Sequence, residues 1–118
     1  MICHVTVYTE NMDATIDFYQ WLLDLPIARR IQMGNGGEIV FFGNQEETKF
    51  EVIHQPDVKP SACDGVTIGF AVDSLQTKVD MLDSRNIPHS PVISPGPHAS
   101  FCFFTDLNGV KIQLFEEK

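Results

Sequence analysis

The sequence contains itself twice. Residues 41–49 (FFGNQEETK) lie over residues 103–111 (FFTDLNGVK) at a constant offset of 62, matching Phe41 with Phe103, Phe42 with Phe104 and Lys49 with Lys111. The register runs on without a gap, placing Phe50-Glu51-Val52-Ile53 over Ile112-Gln113-Leu114-Phe115, and Pro26 over Pro88. One position further, at 63, His4 falls on Thr67 and Asn11 on Ser74. Self-similarity at a fixed period means one supersecondary unit used repeatedly. At 118 residues the chain has the length of one average domain. The expectation is therefore a single domain over 1–118, with module one at 1–55, a linker at 56–64 and module two at 65–118.

Hydrophobic periodicity says what the unit is. Residues 2–9 (ICHVTVYT) alternate with period 2, and residues 11–24 carry Met12, Ile16, Tyr19 and Leu23 at helical spacing behind Asn11, a helix-capping residue type. Pro26 stops that helix. Three strands should follow, at 27–33, 38–42 and 48–54, separated by Gly-Asn turns. Residues 55–64 (QPDVKPSACD) hold two prolines and no apolar period, which reads as a linker. Beyond it the pattern restarts: a strand at 65–72, a helix at 74–85 with Leu75, Val79 and Leu82, and strands near 89–93, 100–105 and 110–116. The fold class expected is α+β, two tandem βαβββ modules forming a curled mixed sheet, a half-barrel with its helices on the outer face.

Composition removes several functions. Acidic residues outnumber basic ones 16 to 8, a net charge of −8, so the surface repels nucleic-acid backbones and anionic lipid. Apolar residues at 43% and charged residues at 20% are those of a chain with a core, not of a disordered one. Three cysteines without a CxxC unit argue against a disulfide framework or a zinc–thiolate site. No basic segment followed by an apolar stretch opens the sequence, and no apolar run approaches 18 residues. A cytoplasmic location is the simplest expectation.

Strand parity then nominates a site. A sheet covered by one helix leaves its other face open, and two such units side by side would form a trough, a ligand site by default. If Val5 and Val7 pack on the helix, then His4, Thr6 and Tyr8 point the other way. The same count turns Lys49, Glu51 and Ile53 inward, with Thr67, Gly69 and Ala71, and with Lys111, Gln113 and Phe115. Phe101 and Phe103 share that face, and His98, in the SPGPHAS loop, lies beside the last strands. Cys3 and Cys102 share the helix-packing parity and should be buried. Each residue has a plainer role open to it: His4 bonded to Glu51 across the trough without metal, Lys49 and Lys111 as solvated strand ends, Phe101 and Phe103 as core, His54 and His89 as surface or strand-end groups.

Three segments, HVTVYTENMDATIDFYQWLLDL, GVTIGFAVDSLQTKVDMLDSRNIP and FCFFTDLNGVKIQLFE, resemble the vicinal-oxygen-chelate superfamily of glyoxalases, bleomycin-resistance proteins and extradiol dioxygenases. The FY of the first helix and the D-x-N-G turn before the last strand carry most of that resemblance. The resemblance implies four metal-holding positions, which here read His4, Glu51, Thr67 and Gln113. His4 and Glu51 suit zinc, nickel, manganese or iron, Gln113 could lend a carbonyl oxygen, and Thr67 is a poor donor. It also implies a base at the last-strand position, where an amide cannot accept a proton; Glu51 and Gln113 are the only catalytic candidates. His98 is the residue that could replace a missing ligand.

Two readings lead, and beside them stands a third, a non-catalytic scaffold or regulatory partner, which a trough filled by its own side chains would favour. In the first, the protein binds a small molecule in the trough, through His4, Thr6, Tyr8, Glu51, Thr67, Phe101, Phe103, Gln113 and His98, without the full four-ligand metal site. In the alternative it is a divalent-metal-dependent lyase, isomerase or transferase, resembling lactoylglutathione lyase, that uses His4 and Glu51. Whether it is an enzyme stays open. Exposed strand edges and the resemblance together imply a homodimer, with a small molecule as the other partner.

Overall fold

The computed structural model describes residues 1–118 as two compact units, Met1–Ser61 and Ala62–Lys118. The first holds β1 (His4–Tyr8), α1 (Met12–Leu23), β2 (Ile27–Gln32), β3 (Glu38–Phe42) and β4 (Lys49–His54). The second repeats the order with β5 (Cys63–Ala71), α2 (Leu75–Ser84), β6 (Ile93–Gly96), β7 (Ala99–Thr105) and β8 (Val110–Glu117). Each unit is a four-stranded mixed sheet, ordered β1-β4-β3-β2 in one and β5-β8-β7-β6 in the other. The first and last strands of each unit run parallel, and the remaining pairs are antiparallel. The fold is α+β, with one βαβββ pattern used twice.

The helices form where capping and stripe agree. The Asn11 side chain accepts the Ala14 N–H at 3.0 Å, and Ser74 does the same for Thr77 at 3.3 Å, each satisfying a donor of an open first turn. Met12, Thr15, Phe18, Tyr19 and Leu22 are the buried stripe of α1, and Leu75, Val79 and Leu82 that of α2. Tyr19 has no exposed surface; its ring meets Phe50 edge-on at 5.0 Å and lies 6.3 Å from Phe42. That contact seats α1 on β3 and β4, and burying such a ring contributes about 1.5–3 kcal/mol. Asp24, in the left-handed region at φ 54°, closes α1 two residues before Pro26.

The turn before β8 shows why its residue types recur. Buried Asp106 accepts the Asn108 and Val110 amides at 2.8 and 2.9 Å through one carboxylate oxygen, and Gly109 takes φ 83° to complete the reversal.

Three expectations need correcting. Cys3 is exposed, because β1 begins only at His4 and the residues before it lie beyond the buried sheet. The sixth strand lies at Ile93–Gly96, later than the 89–93 expected: Pro91 interrupts the ladder after His89, and pairing with β7 resumes at Ile93 and Gly96 on the sheet edge, where Pro95 is tolerated. There His89 makes one isolated bridge to Phe104, and Ser90 exchanges bonds with the Phe103 backbone. β5 begins at Cys63, inside the segment read as linker, pairing with Val110 before a register shift ahead of Thr67. No helix is long and apolar enough to cross a membrane.

Candidate functional site

In the first unit the sheet face turned from α1 is set by register. His4 stands opposite Lys49, Thr6 opposite Glu51 and Tyr8 opposite Ile53 along the parallel β1–β4 pair, with Phe41 beside Glu51 on β3. Period-2 alternation puts Val40, Phe42, Phe50 and Val52 on the other face, where they are buried. Glu51 is the centre of what remains. Its side chain is 10% exposed, its Oε1 accepts the Thr6 hydroxyl, and His4 Nε2 lies 3.5 Å from that same oxygen. The His4 ring, 41% exposed, meets Phe41 edge-on at 5.7 Å and has the Cys3 thiol 3.3 Å from Nδ1. His4, Thr6 and Glu51 therefore come together as one polar cluster, and Tyr8 continues the face as an exposed ring. Sequence reasoning missed Phe41 here. The alternation of Val40, Phe41 and Phe42 carries the signal that could have found it.

Lys49 is not a solvated strand end. Its ammonium donates to the carbonyls of Asn44, Gln45 and Glu47, closing the turn that precedes β4. The Glu47 carboxyl, bonded by the Asn44 backbone and side-chain amides, is held below its usual range.

In the second unit the equivalent register puts Thr67 opposite Lys111, Gly69 opposite Gln113 and Ala71 opposite Phe115. Thr67 thus occupies the place of His4, Gly69 that of Thr6 and Gln113 that of Glu51. No hydroxyl meets Gln113. Its Oε1 instead lies over Gly69, only 3.1 Å from where a β-carbon would stand. Phe101 stacks on Phe115 at 6.2 Å and 11° and meets Phe103 edge-on at 5.7 Å, so three half-buried rings share this face with Gln113. His98 sits exposed in the turn between β6 and β7, its carbonyl accepting the Lys118 amide.

His54 and His89 are more than surface groups. His54 Nδ1 lies 3.0 Å from the Thr9 carbonyl. His89 sits 2.7 Å from both Asp83 Oδ1 and the Ser90 carbonyl, one through each ring nitrogen. Both partners accept, so the doubly protonated ring is favoured and its pKa is raised, the Ser90 carbonyl contributing most and Asp83 next.

Two ligands bound about 2.1 Å from one ion stand about 3–3.4 Å apart, so His4 and Glu51 at 3.5 Å match one edge of such a site. The other two positions carry a neutral hydroxyl and a neutral amide, Thr67 and Gln113. No three His, Cys, Asp or Glu side chains gather in a metal-holding group. With two neutral donors among the four positions, the residues of this chain do not fit a four-ligand centre.

The chain matches a family model over residues 1–114, that of the Glyoxalase/Bleomycin resistance protein/Dioxygenase superfamily. No curated protein matches it. Among solved structures it is similar to the trypanothione-dependent glyoxalase I of Leishmania major, at 20% identity and a TM-score of 0.83, covering 99% of this chain and 86% of that one. A glyoxalase family protein from Enterococcus faecalis matches at 20% identity and 0.74, over 98% and 97%. The fosfomycin resistance protein FosX of Listeria monocytogenes matches at 12% identity and 0.75, over 98% and 91%. At these identities the likeness is one of fold.

Proposed function

This chain belongs to the Glyoxalase/Bleomycin resistance protein/Dioxygenase superfamily, and from that premise we propose that it binds a small organic molecule on the sheet faces its helices leave open, without a complete metal centre. The observation that carries this reading is the unequal pair of clusters. In the first unit Thr6 and His4 hold the Glu51 carboxylate ready to accept ligand N–H or O–H groups. In the second, Thr67, Gly69 and Gln113 stand at the same positions and supply neither imidazole nor carboxylate. Proton abstraction from a bound substrate needs a base, and the Gln113 amide cannot serve. Glu51 is the sole carboxylate of the four positions, so in the first unit His4, Thr6 and Glu51 orient a ligand's polar groups, and in the second Phe101 and Phe103 offer apolar surface.

The test pairs metal analysis of untagged protein with a thermal-shift screen of small organic ligands. The expected result is substoichiometric transition metal and at least one ligand whose stabilisation falls tenfold in apparent affinity in His4→Ala and Glu51→Gln. One equivalent of metal, lost in both variants together with turnover of an α-oxoaldehyde–thiol adduct, would establish the metal-dependent lyase instead.

A homodimer is part of the same proposal. β1, β2, β5 and β6 are the outer strands of the two sheets, and Val66 on β5 and Ile93 on β6 are exposed apolar residues. Light scattering at micromolar concentration should give twice the chain mass; a monomer would refute this part alone.

A further inference from the structure

The duplication supplies an internal control for one residue. Lys49 and Lys111 occupy the same position in the two units, each near the start of the last strand and paired with the first. In the first unit the ammonium is consumed by structure, bonded to three carbonyls of the 44–47 turn. In the second the corresponding turn is built by Asp106 and Gly109 and needs no lysine. Lys111 is left exposed, with its Nζ 4.9 Å from the centroid of Phe103 and no carboxylate in ion-pair range.

That ammonium lines a cavity. A depression of about 340 Å³ lies among Pro88, His89, Phe103, Phe104, Thr105 and Lys111, within the volume range of small-molecule sites. Its charged groups are of one sign. Lys111 brings an unpaired cation and His89 a ring whose two nitrogens both face acceptors, Asp83 and the Ser90 carbonyl. The Thr105 hydroxyl adds a neutral donor, and Pro88 and the Phe103 ring an apolar wall. No acidic side chain lines it. His89 is paired with the Asp83 carboxylate, so Lys111 is the one cation of the lining without a counter-ion, and an exposed cation beside an apolar wall suits an anionic group carried on an apolar body.

We propose that the cavity between Lys111, Thr105 and Phe103 is an anion subsite, taking the carboxylate, sulfonate or phosphonate of an aromatic small molecule whose ring lies against Phe103 and Pro88. This rests on the reading that the open sheet faces bind small organic ligands, and it adds the charge and shape of the group bound at the second unit. The partition is physical: Lys111 supplies charge and the ring wall supplies apolar contact, so removing the charge should penalise anionic ligands alone.

Two fluorescent probes of similar shape test this on the full chain, 8-anilinonaphthalene-1-sulfonate and the uncharged N-phenyl-1-naphthylamine. Lys111→Gln is expected to raise the Kd of the sulfonate at least fivefold and leave that of the neutral probe within twofold. Lys111→Arg should restore sulfonate binding, and Lys49→Gln should leave it unchanged. Raising the salt from 50 to 500 mM should weaken sulfonate binding to the wild type but not to Lys111→Gln. Equal losses for both probes, or an unchanged sulfonate Kd, would overturn the subsite. If the sulfonate binds and only His4→Ala weakens it, the subsite fails and the small-molecule reading stands. If the wild type binds neither probe saturably, the subsite fails, and the small-molecule reading is decided by the ligand screen and metal analysis above.

Discussion

Replacing Thr6 with valine isolates the bond that holds the Glu51 carboxylate. Valine keeps the branched shape and strand preference of threonine and removes only the hydroxyl. Glu51 is 7% exposed as a residue, so its charge is largely withdrawn from water, and Oε1 relies on the Thr6 hydroxyl and on His4 at 3.5 Å. A hydrogen bond to a charged acceptor contributes about 1.5–3 kcal/mol net. The extra methyl of valine returns about 0.5–0.8 kcal/mol of burial at most. The expected loss is therefore about 1–2 kcal/mol, read by urea denaturation at neutral pH. In a Glu51→Gln background the acceptor is neutral, and the same replacement should cost about 0.5 kcal/mol, giving a coupling near 1 kcal/mol. Equal costs in the two backgrounds, or a loss under about 0.3 kcal/mol in the wild type, would show that Thr6 does not hold the carboxylate.

Leu114 has no exposed surface, so Leu114→Ala should destabilise the fold by about 3–4 kcal/mol in the same denaturation assay; under about 1 kcal/mol would contradict the packing of β8. A thiol reagent should modify Cys3 and Cys63 rapidly in the native protein and Cys102 only on unfolding, because burial both shields the Cys102 thiol and pushes its pKa up; three fast thiols would refute this. The raised pKa of His89 means the folded state holds its proton more tightly than the unfolded chain, whose imidazole titrates near 6.5. Its contribution is complete below that value and is lost as pH rises through the raised folded value. The wild-type advantage in Tm over His89→Gln should thus be larger at pH 5.5 than at pH 9, and a gap that does not shrink would exclude the proposed charge pairing with Asp83.

What the sequence alone determined is what depends on neighbours a few residues apart. The internal match of 41–53 with 103–115 dictated a repeated unit, and the strands and helices recur in that order. Asn11 and Ser74 cap the two helices because capping is a contact within one turn. Parity correctly put Thr6 and Glu51 on one face, since alternation along a strand is local geometry and the β1–β4 register aligns them. Three matters lay outside its reach. Cys3 has the parity of a buried residue, yet whether a strand end is covered depends on how far the sheet and α1 extend beside it. The fate of two matched lysines depends on the turn each meets: a carbonyl cage closes on Lys49, while Lys111 is left over an aromatic ring. The pKa of His89 is raised by the main chain of its neighbour Ser90 and by Asp83, six residues away on a helix. Period and parity come from bonded geometry and are written along the chain, whereas burial, charge and free valence are set by through-space neighbours that only the folded chain brings together.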